Sequence, residues 1–276
     1  MFRQRSGASL CYRCGKLNAV SADACFYCGA PRPGLWGFGR ALGRLGGRLS
    51  FARLVIIACG VAYLAALALD PGALARPRGL FSFLSPSSAA LDTLGMTGAY
   101  ALGRGRWWTL VTAIYLHGGL LHILFNMLML NQLAPVVEEE YGQARLFVIF
   151  TAAGVLGFLV SDLAGVAFTI GASGAVFGLL GAMVRYGQSR GGTFGVAVLR
   201  QYGQWALVLF VLAFLMPGVN NWAHGGGFAG GFLAAWALRH REQRPDLPFD
   251  GLLATAVLAL TLLCFALALY TALSRF

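Results

Sequence analysis

Two short motifs in this chain bring together the side chains of acyl-transfer chemistry. Residues 171–178 read GASGAVFG, with Ser173 at the head of an apolar run, and residues 223–232 read AHGGGFAGGF, with His224 near the head of another. A serine hydroxyl becomes a nucleophile when a histidine base stands within about 2.6–3.2 Å of it. Gly171 and Gly174 flank the serine and permit close backbone approach and unusual dihedrals. A helix starting at Ser173 also directs unpaired N–H groups and a positive dipole end toward any negative charge that develops there. The pattern differs from the Gly-x-Ser-x-Gly elbow of soluble hydrolases, since its second glycine follows the serine directly.

A third stretch, HGGLLHILFN at 117–126, puts His122 and Asn126 four residues apart on one helical face, with His117 earlier at the helix mouth. An oxyanion needs hydrogen-bond donors aimed at it, and His122, Asn126 and the Ser173 N–H supply them. The histidines also invite a metal reading, yet neither HExxH nor a neighbouring acidic ligand accompanies them. Serine and histidine occur in membrane helices simply as packing and bridging residues too. The glycines tip the balance toward chemistry. Gly174 and Gly178, and Gly227 and Gly231, form two small-xxx-small faces that bring their helices within reach of a serine side chain. Phe177, one turn after Ser173, offers a ring surface to the imidazole and suits the core equally well. Asp70, Asp92 and Asp162 adjoin neither motif, which points to a dyad rather than a triad.

Such residues must be held by helices in a bilayer. The chain is 58% hydrophobic, with mean hydropathy +0.70 and 11% charged residues, where a soluble domain has about 25% charged. A span needs about 17–25 residues, and seven apolar runs are candidates: 53–69, 110–134, 144–163, 172–187, 203–217, 223–238 and 251–272. The expected fold class is an all-α polytopic membrane protein. The net charge of +11 falls mostly between these runs and in the first 53 residues. That distribution reads as positive-inside bias and attraction to anionic lipid, not as nucleic-acid binding. Arg185, Arg190 and Arg200, with Arg239, Arg241 and Arg244, share the side of the N-terminus, while Arg76, Arg78, Arg104 and Arg106 are the exception. The first 50 residues hold no apolar signal segment, so the N-terminus is expected in the cytosol. Ser173, His224 and the His122–Asn126 pair then converge at one depth near the outer face. A transporter or channel would carry paired charges within its spans, and these spans hold almost none.

Four of the six cysteines lie near the N-terminus. Cys11 and Cys14, and Cys25 and Cys28, form two Cys-x-x-Cys knuckles ten residues apart, each followed by glycine. The spacing suits four-thiolate zinc and resembles the small zinc ribbons; iron in a rubredoxin-like site is the other reading. So short a module has no core of its own, and one structural zinc would supply its folding energy. Its expected role is regulation or the docking of a cytosolic partner. Cys59 and Cys264 sit inside apolar runs as packing residues.

Together, Ser173 in GASG, His224 in AHGGG and His117–His122–Asn126 in HGGLLHILFN resemble the rhomboid intramembrane serine proteases, over residues 53–240. The resemblance implies Ser173 as nucleophile and His224 as general base, with His122 and Asn126 lining the oxyanion hole and no cofactor in the chemistry. It implies substrates that are single-span membrane proteins, whose helix unwinds near its outer end before attack. Glu138 and Gly142 match the family's glutamate–glycine pair, and Gly227 and Gly231 its glycines on the sixth helix. The family's Trp-Arg pair departs, because Trp108 precedes Thr109 and Arg106 comes before the tryptophans. The implied organisation is a zinc-ribbon-like module at 1–30, a Gly/Arg-rich linker at 31–52, a six-helix core at 53–240, and an inner loop with one extra helix at 241–276. The connection MPGVNNW at 216–222 would cap the site as a lid. A prokaryotic inner membrane is the expected setting. A catalytically silent member that only holds client helices is the alternative, and the intact Ser173 and His224 argue against it.

Overall fold

The computed structural model describes residues 6–11, 16–27, 29, 31–34, 50–74, 83–216, 218–244 and 247–274, in two compact units, Met1–Leu54 and Val55–Phe276. In the first unit, β1 (Ala8–Leu10) and β2 (Leu17–Ala19) pair antiparallel, with Ser9 opposite Asn18. The pleat sends Ser9 and Asn18 inward and leaves Leu10 and Leu17 exposed. Asn18 fastens the loop that follows: its Oδ1 accepts the Phe26 N–H at 3.0 Å, and its Nδ2 donates to Cys25 Sγ at 3.3 Å. Cys11 and Cys25 are buried together. Cys14 and Cys28, the other two cysteines of the expected zinc site, lie outside the described residues, as does linker stretch 35–49. Among the described residues, no group of three His, Cys, Asp or Glu side chains is placed to hold a metal.

Beyond the linker the chain forms α1 (Phe51–Ala68), α2 (Ser88–Thr93), α3 (Ala99–Leu102), α4 (Thr109–Thr112), α5 (Leu120–Tyr141), α6 (Gln143–Leu163), α7 (Ser173–Arg190), α8 (Gly192–Phe214), α9 (Asn221–Leu238) and α10 (Pro248–Leu273). Five of these, α1, α5, α6, α8 and α10, are long and apolar enough to cross a membrane. α7 and α9 coincide in position with two further expected spans and fall short in apolarity. For α7 the surroundings explain this. Twelve of the eighteen residues of α7 are buried, so protein rather than lipid solvates it, and glycine can stand where a lipid-facing helix needs leucine.

Two expected boundaries are corrected. The run expected to span the bilayer from residue 110 is broken: α4 ends at Thr112, a 3₁₀ turn covers Ala113–Tyr115, Leu116 is extended, and α5 begins only at Leu120 and continues to Tyr141. Hydropathy reads straight through Gly118 and Gly119, whereas the backbone does not, because paired glycines make a costly helix interior. α8 begins at Gly192, well before the expected 203, since Arg200 and Gln201 interrupt the apolar run without ending the helix.

The long helices meet through glycine. α7 packs against α9, α6, α8 and α5, and α9 also packs against α6. A Cβ on Gly174 would lie 3.0 Å from the Ala223 carbonyl oxygen, one on Gly178 3.0 Å from that of Gly227, and one on Gly157 2.5 Å from that of Ala223. Bare backbone is a condition of these contacts. At one end, Tyr141 Oη donates to the Ala182 carbonyl at 3.2 Å, the Glu140 carbonyl accepts the Arg241 N–H at 3.0 Å, and the Tyr186 ring meets His240 at 5.1 Å. α5, α7 and α9 therefore run parallel, and their N-termini gather at the opposite end.

Candidate active site

Those three N-termini carry the three motifs. Ser173 opens α7. The turn before it is fixed by the Gly171 N–H, which donates to the Ala113 carbonyl at 2.9 Å, and by a Gly171 φ of +120°, a region that favours glycine. A Cβ on Gly171 would sit 2.7 Å from His122 Nε2 and 3.9 Å from Ser173 Oγ. The missing side chain is thus the space across which imidazole and serine face each other.

His122 lies in the first turn of α5. Its Nδ1 accepts the Gly118 N–H at 3.3 Å, so the neutral ring carries its proton on Nε2, the nitrogen nearest Gly171. One turn on, the buried Asn126 donates from Nδ2 to the His122 carbonyl at 2.8 Å. His117 is fully buried, donates from Nδ1 to the Tyr115 carbonyl at 3.3 Å, and holds its ring 5.0 Å from that of His122. Among the described residues its Nε2 has no hydrogen-bond partner.

His224 lies in the first turn of α9, 5% exposed, with Nδ1 buried and, among the described residues, without a hydrogen-bond partner. Its ring lies flat on Phe177, with centroids 4.3 Å apart and planes inclined 14°. Phe177 is one turn after Ser173, so the stack holds the imidazole over the face of α7 that Ser173 heads. Among the described residues the Ser173 hydroxyl and the His224 ring do not hydrogen-bond to each other; in sites without substrate such bonds are often long and tighten on binding.

Two of the carboxylates weighed for a triad are engaged elsewhere. Asp70 accepts the Ser87 N–H at 2.8 Å, and Asp92 pairs with Arg106 at 2.5 Å. Arg106, 6% exposed, also donates to the Asp92 carbonyl at 2.8 Å, which ties down the long first connection although its Trp-Arg pattern is shifted.

The residue that sets His224 in place was read from sequence only as part of a covering connection. Asn220 is the N-cap of α9: its Oδ1 accepts the Ala223 N–H at 3.2 Å, and its Nδ2 donates to Ser161 Oγ at 2.6 Å and Thr169 Oγ1 at 2.9 Å. One side chain caps the helix bearing His224 and ties it to α6 and to the stretch leading into Ser173. An asparagine just before an apolar run is the sequence signal that could have found it.

Residues 104–241, half of the chain, match the rhomboid domain family. The chain belongs to the rhomboid family. The matched residues run from α4 to α9 and include Ser173, His224, His122 and Asn126. Rhomboid protease GluP of Bacillus subtilis (strain 168) is 35% identical over 158 residues, covering 56% of this chain and 30% of the relative. RHOMBOID-like protein 1 of Arabidopsis thaliana is 35% identical over 187 residues, covering 62% and 46%. Putative rhomboid protease YdcA of the same Bacillus strain is 33% identical over 175 residues, covering 60% and 84%. This rhomboid thus spans less than half the length of the first two relatives and most of the third. With five helices among the described residues long and apolar enough to cross a bilayer, it is an integral, multi-pass membrane protein.

Proposed function

We propose that this rhomboid is an intramembrane serine endopeptidase whose Ser173–His224 dyad cuts single-span membrane proteins near the outer face of the bilayer. The observation that carries the reading is the convergence on the start of α7: His224 stacked on Phe177 from one side, and His122 Nε2 facing Gly171 from the other. Ser173 Oγ attacks the scissile carbonyl carbon while its proton passes to His224. The carbonyl oxygen, now an oxyanion, accepts hydrogen bonds from His122 Nε2–H, an Asn126 N–H and the Ser173 N–H, beside the positive ends of three parallel helices. Collapse breaks the C–N bond, and His224 returns the proton to the leaving nitrogen. A water that His224 deprotonates then splits the acyl ester. Phe177 and Asn220 orient the base in the role a carboxylate fills in a triad. The names of GluP and YdcA, a rhomboid protease and a putative one, support the same reading.

In this reading α1 and α5–α9 form a six-helix core that spans a prokaryotic inner membrane, α10 is the extra helix, and the N-terminus is cytosolic. Cys11, Cys14, Cys25 and Cys28 hold one structural zinc, which docks or regulates through a cytosolic partner. The joint burial of Cys11 and Cys25 and the N–H···S bond from Asn18 suit thiolate ligands. A fluorophosphonate probe should label Ser173 and fail on Ser173→Ala, and His224→Ala should cleave at background while still folded. Undiminished proteolysis by Ser173→Ala sinks the mechanism; substrate binding without labelling or cleavage would instead mean a client-holding protein. Metal analysis of the full chain should find zinc that is lost with Cys11→Ser and Cys14→Ser, with cleavage retained.

A further inference from the structure

α10 lies beyond the residues matched to the family, yet its contacts lead to the site. It packs on α6, α4 and α2. Its first turn is latched: Asp250, 3% exposed, accepts from Arg145 at 2.8 Å, from Arg244, and from the Leu247 N–H at 3.0 Å. Two to three turns from its other end, Phe265 sets its ring against Tyr115, with centroids 5.5 Å apart and planes inclined 62°. Ala268 Cβ lies 3.5 Å from where a Cβ on Gly95 would be, and the Gly95 carbonyl accepts Thr112 Oγ1 at 2.8 Å.

These contacts bear on residues 113–118, the stretch between α4 and α5, which runs through a 3₁₀ turn at Ala113–Tyr115 and then extended backbone at Leu116, outside the long helices. The same stretch holds both sides of the site. The Ala113 carbonyl takes the Gly171 N–H at 2.9 Å, the Tyr115 carbonyl takes His117 Nδ1 at 3.3 Å, and the Gly118 N–H points His122 by donating to its Nδ1 at 3.3 Å. An irregular segment keeps its shape through what packs on it, and α10 supplies that contact at Tyr115.

We propose that α10 positions the active site: Phe265, through Tyr115, holds residues 113–118 and with them the His122 and Ser173 donors. Phe265 is a positioning residue, since its ring contact is with Tyr115 and not with the dyad. The proposal rests on the protease reading, and the test separates the two. In the full-length protein, Phe265→Ala, Phe265→Tyr and Leu262→Ala, the last at an exposed position of the same helix, are compared in two measurements. One is fluorophosphonate labelling of Ser173, resolved into a rate constant and an amplitude. The other is amide hydrogen exchange at 113–118 and Gly171. Phe265→Ala should slow the labelling rate constant about ten-fold, as small misplacements of catalytic groups do. It should keep the amplitude, leave KM for a single-span substrate unchanged, and speed exchange in 113–118. Phe265→Tyr should restore both measurements, and Leu262→Ala should match wild type. Should Phe265→Ala not purify folded, Phe265→Leu, which keeps apolar volume without the ring, carries the comparison. Wild-type rate constant and exchange in the Phe265 variant overturn the proposal. A lowered amplitude with an unchanged rate constant overturns it too, because α10 would then only preserve the fold. Absence of labelling in the wild-type protein refutes the protease reading, while the exchange measurement still decides the role of Phe265.

Discussion

Replacing Gly171 with alanine would put a methyl group into the space between His122 and Ser173. The backbone there has a φ of +120°, and a Cβ would stand 2.7 Å from His122 Nε2 and 2.9 Å from Cε1. Two separate costs follow. A non-glycine residue held in such a dihedral region costs about 1–3 kcal/mol in strain. The contact is also too short for the imidazole to stay, so Nε2 turns away from the reacting oxygen. Losing one oxyanion donor typically costs about 10²–10³ in turnover, or about 2.7–4 kcal/mol. The strain belongs in thermal unfolding, and the lost donor belongs in kcat rather than KM, since the charge exists only near the transition state. Gly105→Ala separates them: its φ is +73°, and no atom of the described residues lies within 4 Å of the Cβ position. That variant should lose stability in the same way and keep full turnover. The assay is single-turnover cleavage of a reconstituted single-span substrate, alongside thermal unfolding of both proteins. If folded Gly171→Ala cleaves at the wild-type rate, His122 is not the donor and the geometric argument fails.

Three further outcomes are expected. Asn126→Ala and His122→Ala should each lose less single-turnover rate than Ser173→Ala, because the Ser173 N–H and the other donor remain; wild-type rates in both would leave these residues as a polar wall. Gly231→Ala drives a methyl onto the Gly178 carbonyl of α7 and should destabilise by about 1–3 kcal/mol in thermal unfolding. Gly225→Ala, whose nearest neighbour is Phe210 at 4.0 Å, should be neutral, and equal losses in the two would remove the close-approach argument. Asp250→Asn takes the carboxylate from Arg145, 1% exposed, and should cost about 3–5 kcal/mol by the same measurement; an unchanged unfolding temperature would mean that the latch contributes nothing.

What the sequence determined alone was whatever local pattern encodes. Apolar run length marks helices that can live in lipid, and glycine at every fourth place marks faces that can touch, so the parallel α7 and α9 interface was legible from Gly174, Gly178, Gly227 and Gly231. Ser173, His224 and His122 stood out as candidates because each sits at a helix start marked by glycines, and Asn126 because it follows His122 by one helical turn. Hydropathy could not see the break between α4 and α5, since residues 110–119 are apolar whether or not they are helical; what ends the helix is the backbone cost of Gly118 and Gly119 and the bonds the freed stretch makes to Gly171 and His122. Nor could it see that α7 is enclosed, which is why it needs less apolarity than a lipid-facing helix. Tertiary structure alone decided the partners of Asn220, the Phe265–Tyr115 contact and the bond between Arg145 and Asp250, which lie 105 residues apart. The reason is that a buried polar group or an irregular loop takes its conformation from whichever atoms surround it, and chain order does not say which those are.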